Sequence, residues 1–140
     1  MGVGVADPIL PIEAFPIERL RTRPDFLACA QAPSCARGAV VLQARPRGDD
    51  QPRVRVGFTA TKRIGGAVQR NRAKRRMREA ARLLIPELGR PGFDYVLIAR
   101  GGVITRDWVR LLDDVKSALI RLAAERDGRA RDPADAPRAD

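Results

Sequence analysis

The clearest pattern in the chain lies in RVRVGFTATKR, residues 53–63, where Val54, Val56, Phe58 and Ala60 interleave with Arg55, Gly57, Thr59 and Thr61. Period two sends alternate side chains to opposite faces, so this stretch predicts a strand with one face on a core and the other toward solvent or a ligand. GAVVLQARP, residues 38–46, reads as another strand, and the turn-like RGDDQP between the two predicts that they pair as a hairpin. YVLIAR, residues 95–100, is a short apolar run suited to a buried strand. Three helices are expected around these strands. PDFLACAQA, residues 24–32, starts one, with Pro24 at a tolerated first-turn position and Phe26 and Leu27 as apolar contacts. Gly65 and Gly66 end the second strand, and a helix follows from residue 67 to about residue 85, stopping before Pro86. Thr105 is placed to cap a last helix, whose Trp108, Leu111, Leu112, Val115, Leu119 and Leu122 recur at spacings of three and four.

The order helix, two strands, helix, strand, helix makes a β-α-β unit of the second strand, the long helix and YVLIAR. The fold class expected is therefore an α+β two-layer sandwich of order α-β-β-(β)-α-β-α, with a small mixed sheet packed by helices. At 140 residues and 44% hydrophobic, the chain has material for one domain with a modest core. That domain is placed at residues 19–125. Residues 1–18 are proline-rich and aperiodic, a loose N-terminal extension. Residues 126–140, with four Arg, four Asp and a Pro/Ala background, read as a disordered tail.

Charge narrows the function. A formal net charge of +10 points to a polyanionic partner, nucleic acid more often than an anionic membrane surface. No apolar run is long enough for a membrane span and the N-terminus lacks a basic region before an apolar stretch, so a cytoplasmic protein without membrane contact is expected. Histidine is absent, which removes Ser-His-Asp and Cys-His catalysis. Cys29 and Cys35 alone fall short of a four-ligand zinc site and are expected to be reduced structural thiols. No catalytic and no metal-binding residue is assigned.

The charge is concentrated. From residue 62 to residue 82 nine basic residues stand against Glu79, so +8 of the net +10 lies in this stretch, most of it in RNRAKRRMREA, residues 70–80. At 100° per residue Ala73, Met77, Ala80, Ala81 and Leu84 share one arc wide enough to pack on a sheet, while Asn71, Arg72, Lys74, Arg75, Arg76, Arg78 and Arg82 span the rest. Six like-charged pairs at spacings of three or four are offset by three pairs with Glu79; the excess costs roughly 1 kcal/mol. Arg70 and Arg72 also sit near the helix N-terminus, where cations are unfavourable by about 0.3–1 kcal/mol. A phosphate backbone offsets both costs. Aromatic residues are too few for a multi-ring stacking platform, so phosphates of structured RNA or DNA are the expected ligand.

RVGFTATKRIGGAVQRNRAKRRMREA resembles the signature of the bacterial ribonuclease P protein subunit: a strand ending in two basic residues, a Gly, an Ala-Val step, then Arg-Asn-Arg-x-x-Lys-Arg-x-x-Arg-Glu in its approximate register. The matching residues are Lys62, Arg63, Gly65, Ala67, Val68, Arg70, Asn71, Arg72, Lys74, Arg75, Arg78 and Glu79; RLRTRPDF and YVLIAR resemble the family's first stretch and last strand, and the resemblance covers about residues 19–123. It implies a subunit that assists a catalytic RNA in removing the 5′ leader from precursor tRNA, with the chemistry carried by that RNA and its Mg²⁺ and no cofactor bound by the protein. Lys62, Arg63, Arg70, Asn71, Arg72, Lys74, Arg75 and Arg78 are then expected to contact the RNA subunit. Phe26, Val41, Gln43, Thr59 and Thr61 are expected to hold the single-stranded leader between the first helix and the open sheet face. The resemblance also implies a left-handed β-α-β crossover like that of ribosomal protein S5.

Two departures and two alternatives bear on this expectation. Gly66 stands where the family commonly has Asn, and Ala30 and Gln43 where some members have aromatics, which leaves leader stacking mainly to Phe26. A generic duplex-binding or ribosomal-type protein would share the charge without requiring KRIGGAV ahead of the Arg-Asn-Arg turn. A protein-only nuclease would need clustered carboxylates, whereas Asp49, Asp50, Asp113 and Asp114 are scattered over a turn and a late helix.

Overall fold

A computed structural model of the chain describes residues 17–126. In chain order the elements are β1 (Ile17–Arg19), α1 (Arg23–Ala30), β2 (Ser34–Arg37), β3 (Val40–Pro46), β4 (Val54–Thr59), a 3₁₀ turn (Lys62–Ile64), α2 (Ala67–Leu88), β5 (Phe93–Ala99) and α3 (Trp108–Arg126). The strands form one five-stranded mixed sheet in the order β1-β4-β5-β3-β2, parallel from β1 through β5 and antiparallel beyond it. This is the α+β class expected, with β4-α2-β5 as a β-α-β unit joining adjacent parallel strands. Expected residues 1–16 of the loose extension and 127–140 of the tail lie outside the described residues. The sheet begins at Ile17, inside the stretch assigned to the extension, because Ile17 and Glu18 pair with Val54 and Arg55.

The two faces of the sheet are unequal. Val54, Val56, Tyr95, Leu97, Val40, Leu42 and Ala44 point to one side and form the main core with Ala73, Met77, Ala80, Ala81 and Ile85 of α2 and Leu111, Val115, Ala118, Leu119 and Leu122 of α3. On the other side, among the described residues, only the short helix α1 is packed, through Leu20, Cys29 and Val96, with Phe26 and Ile98 half-buried against them.

The expected hairpin between residues 38–46 and 53–63 does not form. β5 lies between β3 and β4, and the real hairpin is β2–β3, closed by Gly38 and Ala39. Gly38 has φ of 53°, and a Cβ there would lie 2.2 Å from the Asp114 carboxylate oxygens. Asp114 accepts from the Ala39 N–H at 3.0 Å and from Arg106, tying α3 to this hairpin. The physical reason for the inserted strand is Asp94, fully buried in an otherwise apolar β5. It stands opposite Arg45 on β3 and Arg55 on β4. Arg55 donates to both its oxygens at 2.8 and 2.7 Å, Arg45 at 3.2 Å and Arg47 at 3.0 Å. Burial pushes the Asp94 carboxyl up, but the hydrogen bonds from Arg55 and Arg47 outweigh it and hold it below the ordinary carboxylate range. An unpaired buried carboxylate would be costly, so the cations of β3 and β4 on its two flanks favour β5 between them.

Helix ends also differ from expectation. α1 is capped by Thr22, whose side chain accepts from the Asp25 N–H, and ends at Ala30. α2 runs two residues past Pro86, to Leu88, with the Gly89 N–H closing on the Ile85 carbonyl. α3 begins at Trp108, and the cap is Asp107, which accepts from the Arg110 N–H at 3.3 Å; Thr105 instead donates its hydroxyl to the Gly102 carbonyl. Cys29 and Cys35 are free and buried; burial pushes the Cys29 thiol up to about 11 and raises that of Cys35, so both stay protonated structural residues near neutral pH.

Candidate nucleic-acid interface

α2 emerges from the 3₁₀ turn with no side-chain cap on its first amides and no acidic residue in its first turn. The Gly66 N–H donates to Gln69 Oε1 at 3.1 Å, so this glycine opens the helix without the side-chain acceptor that Asn would bring. Lys62 and Arg63 are exposed on the turn, and Asn71, Arg72, Arg75 and Arg78 are exposed on the helix. Arg70 and Lys74 are half-buried; Arg70 Nη1 donates to the Gly65 carbonyl at 3.2 Å. Among the described residues none of Lys62, Arg63, Arg70, Arg72, Lys74, Arg75 and Arg78 forms an ion pair, and Glu79 is taken by Arg82. The helix N-terminus and its uncompensated cations add in the same direction, toward an anion.

Arg76 does not belong to this outward surface. Its Nη1 donates to the Val103 and Ile104 carbonyls, both at 2.8 Å, and its guanidinium lies 5.6 Å from the Trp108 ring. It ties α2 to the loop ahead of α3. On the opposite flank Arg78 stacks over Phe58 at 5.6 Å, and Lys74 and Arg78 join Arg19, Leu20, Phe26, Gly57 and Phe58 around a cleft of about 220 Å³. A second cleft of about 310 Å³ runs along β1, floored by Val56, Phe58 and Ala81 between Arg78 and Arg82. Arg19 was not foreseen because it sits at the start of the domain, where no period marks a strand.

The second surface is the sheet face beside α1. Register aligns Val41, Ile98 and Thr59 in one row across β3, β5 and β4, and Gln43, Val96 and Gly57 in the next. Val41, Gln43, Thr59 and Ile98 are half-buried, as is Phe26, whose ring lies over Gly57. Four of the five expected leader residues are therefore gathered on one side of the sheet. Thr61 is displaced: β4 ends at Thr59, and Thr61 caps the 3₁₀ turn, accepting from the Arg63 N–H at 3.4 Å. Ile98 completes the row and is the residue sequence reading missed. Its signal was the alternation within YVLIAR, hidden because that strand is apolar on both faces.

Among the described residues no group of three or more Cys, Asp or Glu side chains is placed to hold a metal ion. No helix among them is long and apolar enough to cross a membrane.

Comparison with known proteins identifies the family. The family model described as ribonuclease P matches residues 16–123, which include both surfaces. The chain belongs to the ribonuclease P protein family. It is 70% identical over 110 residues to the ribonuclease P protein component of Caulobacter vibrioides, across 79% of this chain and 74% of that one. Identity to the corresponding component of Ruegeria pomeroyi is 51% over 110 residues, covering 77% and 88% of the two chains. The ribonuclease P protein of Thermotoga maritima superposes with a TM-score of 0.63 at 30% identity, over 74% of this chain and 96% of that one. Family membership makes the chain a protein component of a tRNA-processing ribonucleoprotein, and an RNA partner follows from that.

Proposed function

We propose that this ribonuclease P protein binds the catalytic RNA subunit through the exposed face of α2 and the turn before it, and the 5′ leader of precursor tRNA through the sheet face beside α1. Lys62, Arg63, Arg70, Asn71, Arg72, Lys74, Arg75 and Arg78 contact the RNA subunit; Phe26, Val41, Gln43 and Thr59, joined by Ile98, receive the extended leader, with Thr61 at the cleft's end. The chain works in the cytoplasm, binds no cofactor itself, and makes or breaks no bond. Endonucleolytic cleavage is assigned to the RNA subunit, whose bound Mg²⁺ supplies the chemistry. What the protein contributes is binding energy: phosphate contacts that assemble the particle, and apolar contacts to unstacked leader bases that a tRNA without a leader does not make.

The observation that carries this reading is the absence of a carboxylate partner for seven cations around α2, among the described residues, in a protein whose other buried or half-buried arginines are mostly tied to carboxylates. Reconstitution tests it. Purified protein, RNA subunit and precursor tRNA are combined together and separately: leader removal accelerated only when protein joins RNA supports the reading. Cleavage by protein alone would make the chain a nuclease in its own right, and a mixture no faster than RNA alone would make it a generic RNA binder.

A further inference from the structure

α1 is eight residues long and buries only Cys29, too little to fix its position by packing alone. Two features of β4 make up the difference. Arg55 engages both oxygens of Asp94 with Nε and Nη2, which leaves Nη1 to donate to Asp25 Oδ2 at 3.2 Å. The same Asp25 oxygen accepts from the hydroxyl of Thr22, the cap of α1, at 2.9 Å. Arg55 thus bridges a fully buried carboxylate to the first turn of α1, one residue before Phe26. Two positions along the same face of β4, Gly57 presents a bare Cα to the Phe26 ring: a Cβ there would lie 2.6 Å from Cζ and 2.7 Å from Cε1. The third residue of this face, Thr59, lies in the row with Val41 and Ile98 on the proposed leader surface.

We propose that Asp94, Arg55, Asp25 and Gly57 form a positioning device that fixes Phe26 over the sheet and so sets the opening of the cleft for single-stranded RNA. The device rests on the leader-binding reading given above. None of its members touches the leader; each acts through α1. A bidentate guanidinium holds its partner in one geometry, so the Arg55 bridge places the helix start, and the glycine admits the ring to close contact. A lysine at position 55 could not serve both carboxylates in this way.

The test uses the reconstituted particle with Gly57→Ala, Asp25→Asn, Asp25→Glu and Phe26→Ala proteins, each first checked for an intact thermal transition. Gly57→Ala can fail to fold; Asp25→Asn, which keeps the shape of a half-exposed side chain, then carries the test. The readout is the ratio of affinities for precursor tRNA with a leader of several nucleotides and for mature tRNA. We expect Gly57→Ala and Asp25→Asn to lower that ratio by about fivefold or more, the lower end of one base–aromatic stack, with affinity for the RNA subunit unchanged. Asp25→Glu, which keeps the charge, should recover part of the loss. In the free protein the nuclear Overhauser contact between the Phe26 ring and the Gly57 Hα protons should weaken in Asp25→Asn. If Phe26→Ala lowers the ratio and Asp25→Asn does not, the positioning device is overturned and the leader reading stands. If Phe26→Ala leaves the ratio intact, leader binding through Phe26 is itself wrong and the device falls with it. Equal losses for precursor and mature tRNA would mean that the network acts only on stability, which also overturns it.

Discussion

Two arginine-rich regions of this molecule use the same side chain in opposite ways. Around Asp94, Arg45, Arg47 and Arg55 converge on a single buried carboxylate, with Asp25 and Asp49 taking further donors. Along α2 and the turn before it, seven cations besides Arg76 have no carboxylate partner among the described residues. In the first region the charges favour β5 between β3 and β4, because only there does the one buried acid meet Arg45 and Arg55 together. In the second they cost the free protein a little stability, and on the proposed reading they are what engages phosphate. Arginine content therefore says nothing about RNA binding until the carboxylates have been counted.

Removing the central acid should break the first region most severely. Asp94→Asn is expected to cost about 3–5 kcal/mol in urea or thermal unfolding, a large part of the stability of a domain this size. A loss below about 1 kcal/mol would mean that the cluster is incidental to the fold. The same acid supplies a pH test. Because the carboxyl is held below its ordinary value in the folded protein, the stabilisation is complete above about pH 4 and is lost as pH falls through the folded pKa. The parent should therefore lose stability in that acid range more steeply than Asp94→Asn does; parallel curves would mean that Asp94 contributes nothing to the acid limb.

Arg76 lies between the two extremes, a basic-helix residue employed structurally. Arg76→Ala should destabilise by about 1–3 kcal/mol through its hydrogen bonds to the Val103 and Ile104 carbonyls and leave the salt dependence of RNA binding nearly unchanged. A shallower salt slope with unaltered stability would return Arg76 to the RNA-binding face. The smallest effect on stability is expected for Arg72→Ala combined with Arg75→Ala, within about 0.5 kcal/mol of the parent. That double variant should nevertheless flatten the log–log salt dependence of RNA binding, which in the parent is expected at roughly −3 to −4, by about 0.7–0.9 for each phosphate that is no longer neutralised. An unchanged slope would mean that these two guanidiniums meet only water.

How much of this was visible in the sequence depends on the range of the physics involved. The amphipathic arc of α2, the apolar stripe of α3 and the two-sided alternation of residues 54–59 are local patterns, and all three recur in the structure. The basic surface was legible because charge concentrated within one helix needs no tertiary contact to be recognised. The strand order was not. Residues 38–46 and 53–63 carry a plausible turn between them, and the preference for β5 as the intervening strand resides in Asp94, which meets Arg45 and Arg55 only after the sheet has closed. Strand β1 was missed for a related reason, since three exposed residues have no pattern of their own and are ordered by pairing with β4. A single acid in the apolar run FDYVLIA was the available clue, because a buried carboxylate needs cationic or hydrogen-bonding partners close by.

The insertion of β5 also sets an order of events during synthesis. β2 and β3 can pair once residue 46 has been made, and β1 and β4 once residue 59 has, but these two pieces share no ladder until β5 joins them after the 22-residue helix. Until then Arg45, Arg47 and Arg55 repel one another without their common counter-ion, and the open edges of β3 and β4 remain unpaired. A nascent chain halted before residue 93 should accordingly be protease-sensitive through β4, and protection should appear only once β5 and the core-forming helix α3 have both been made. The acid that orders the finished sheet is thus also the signal that it is complete.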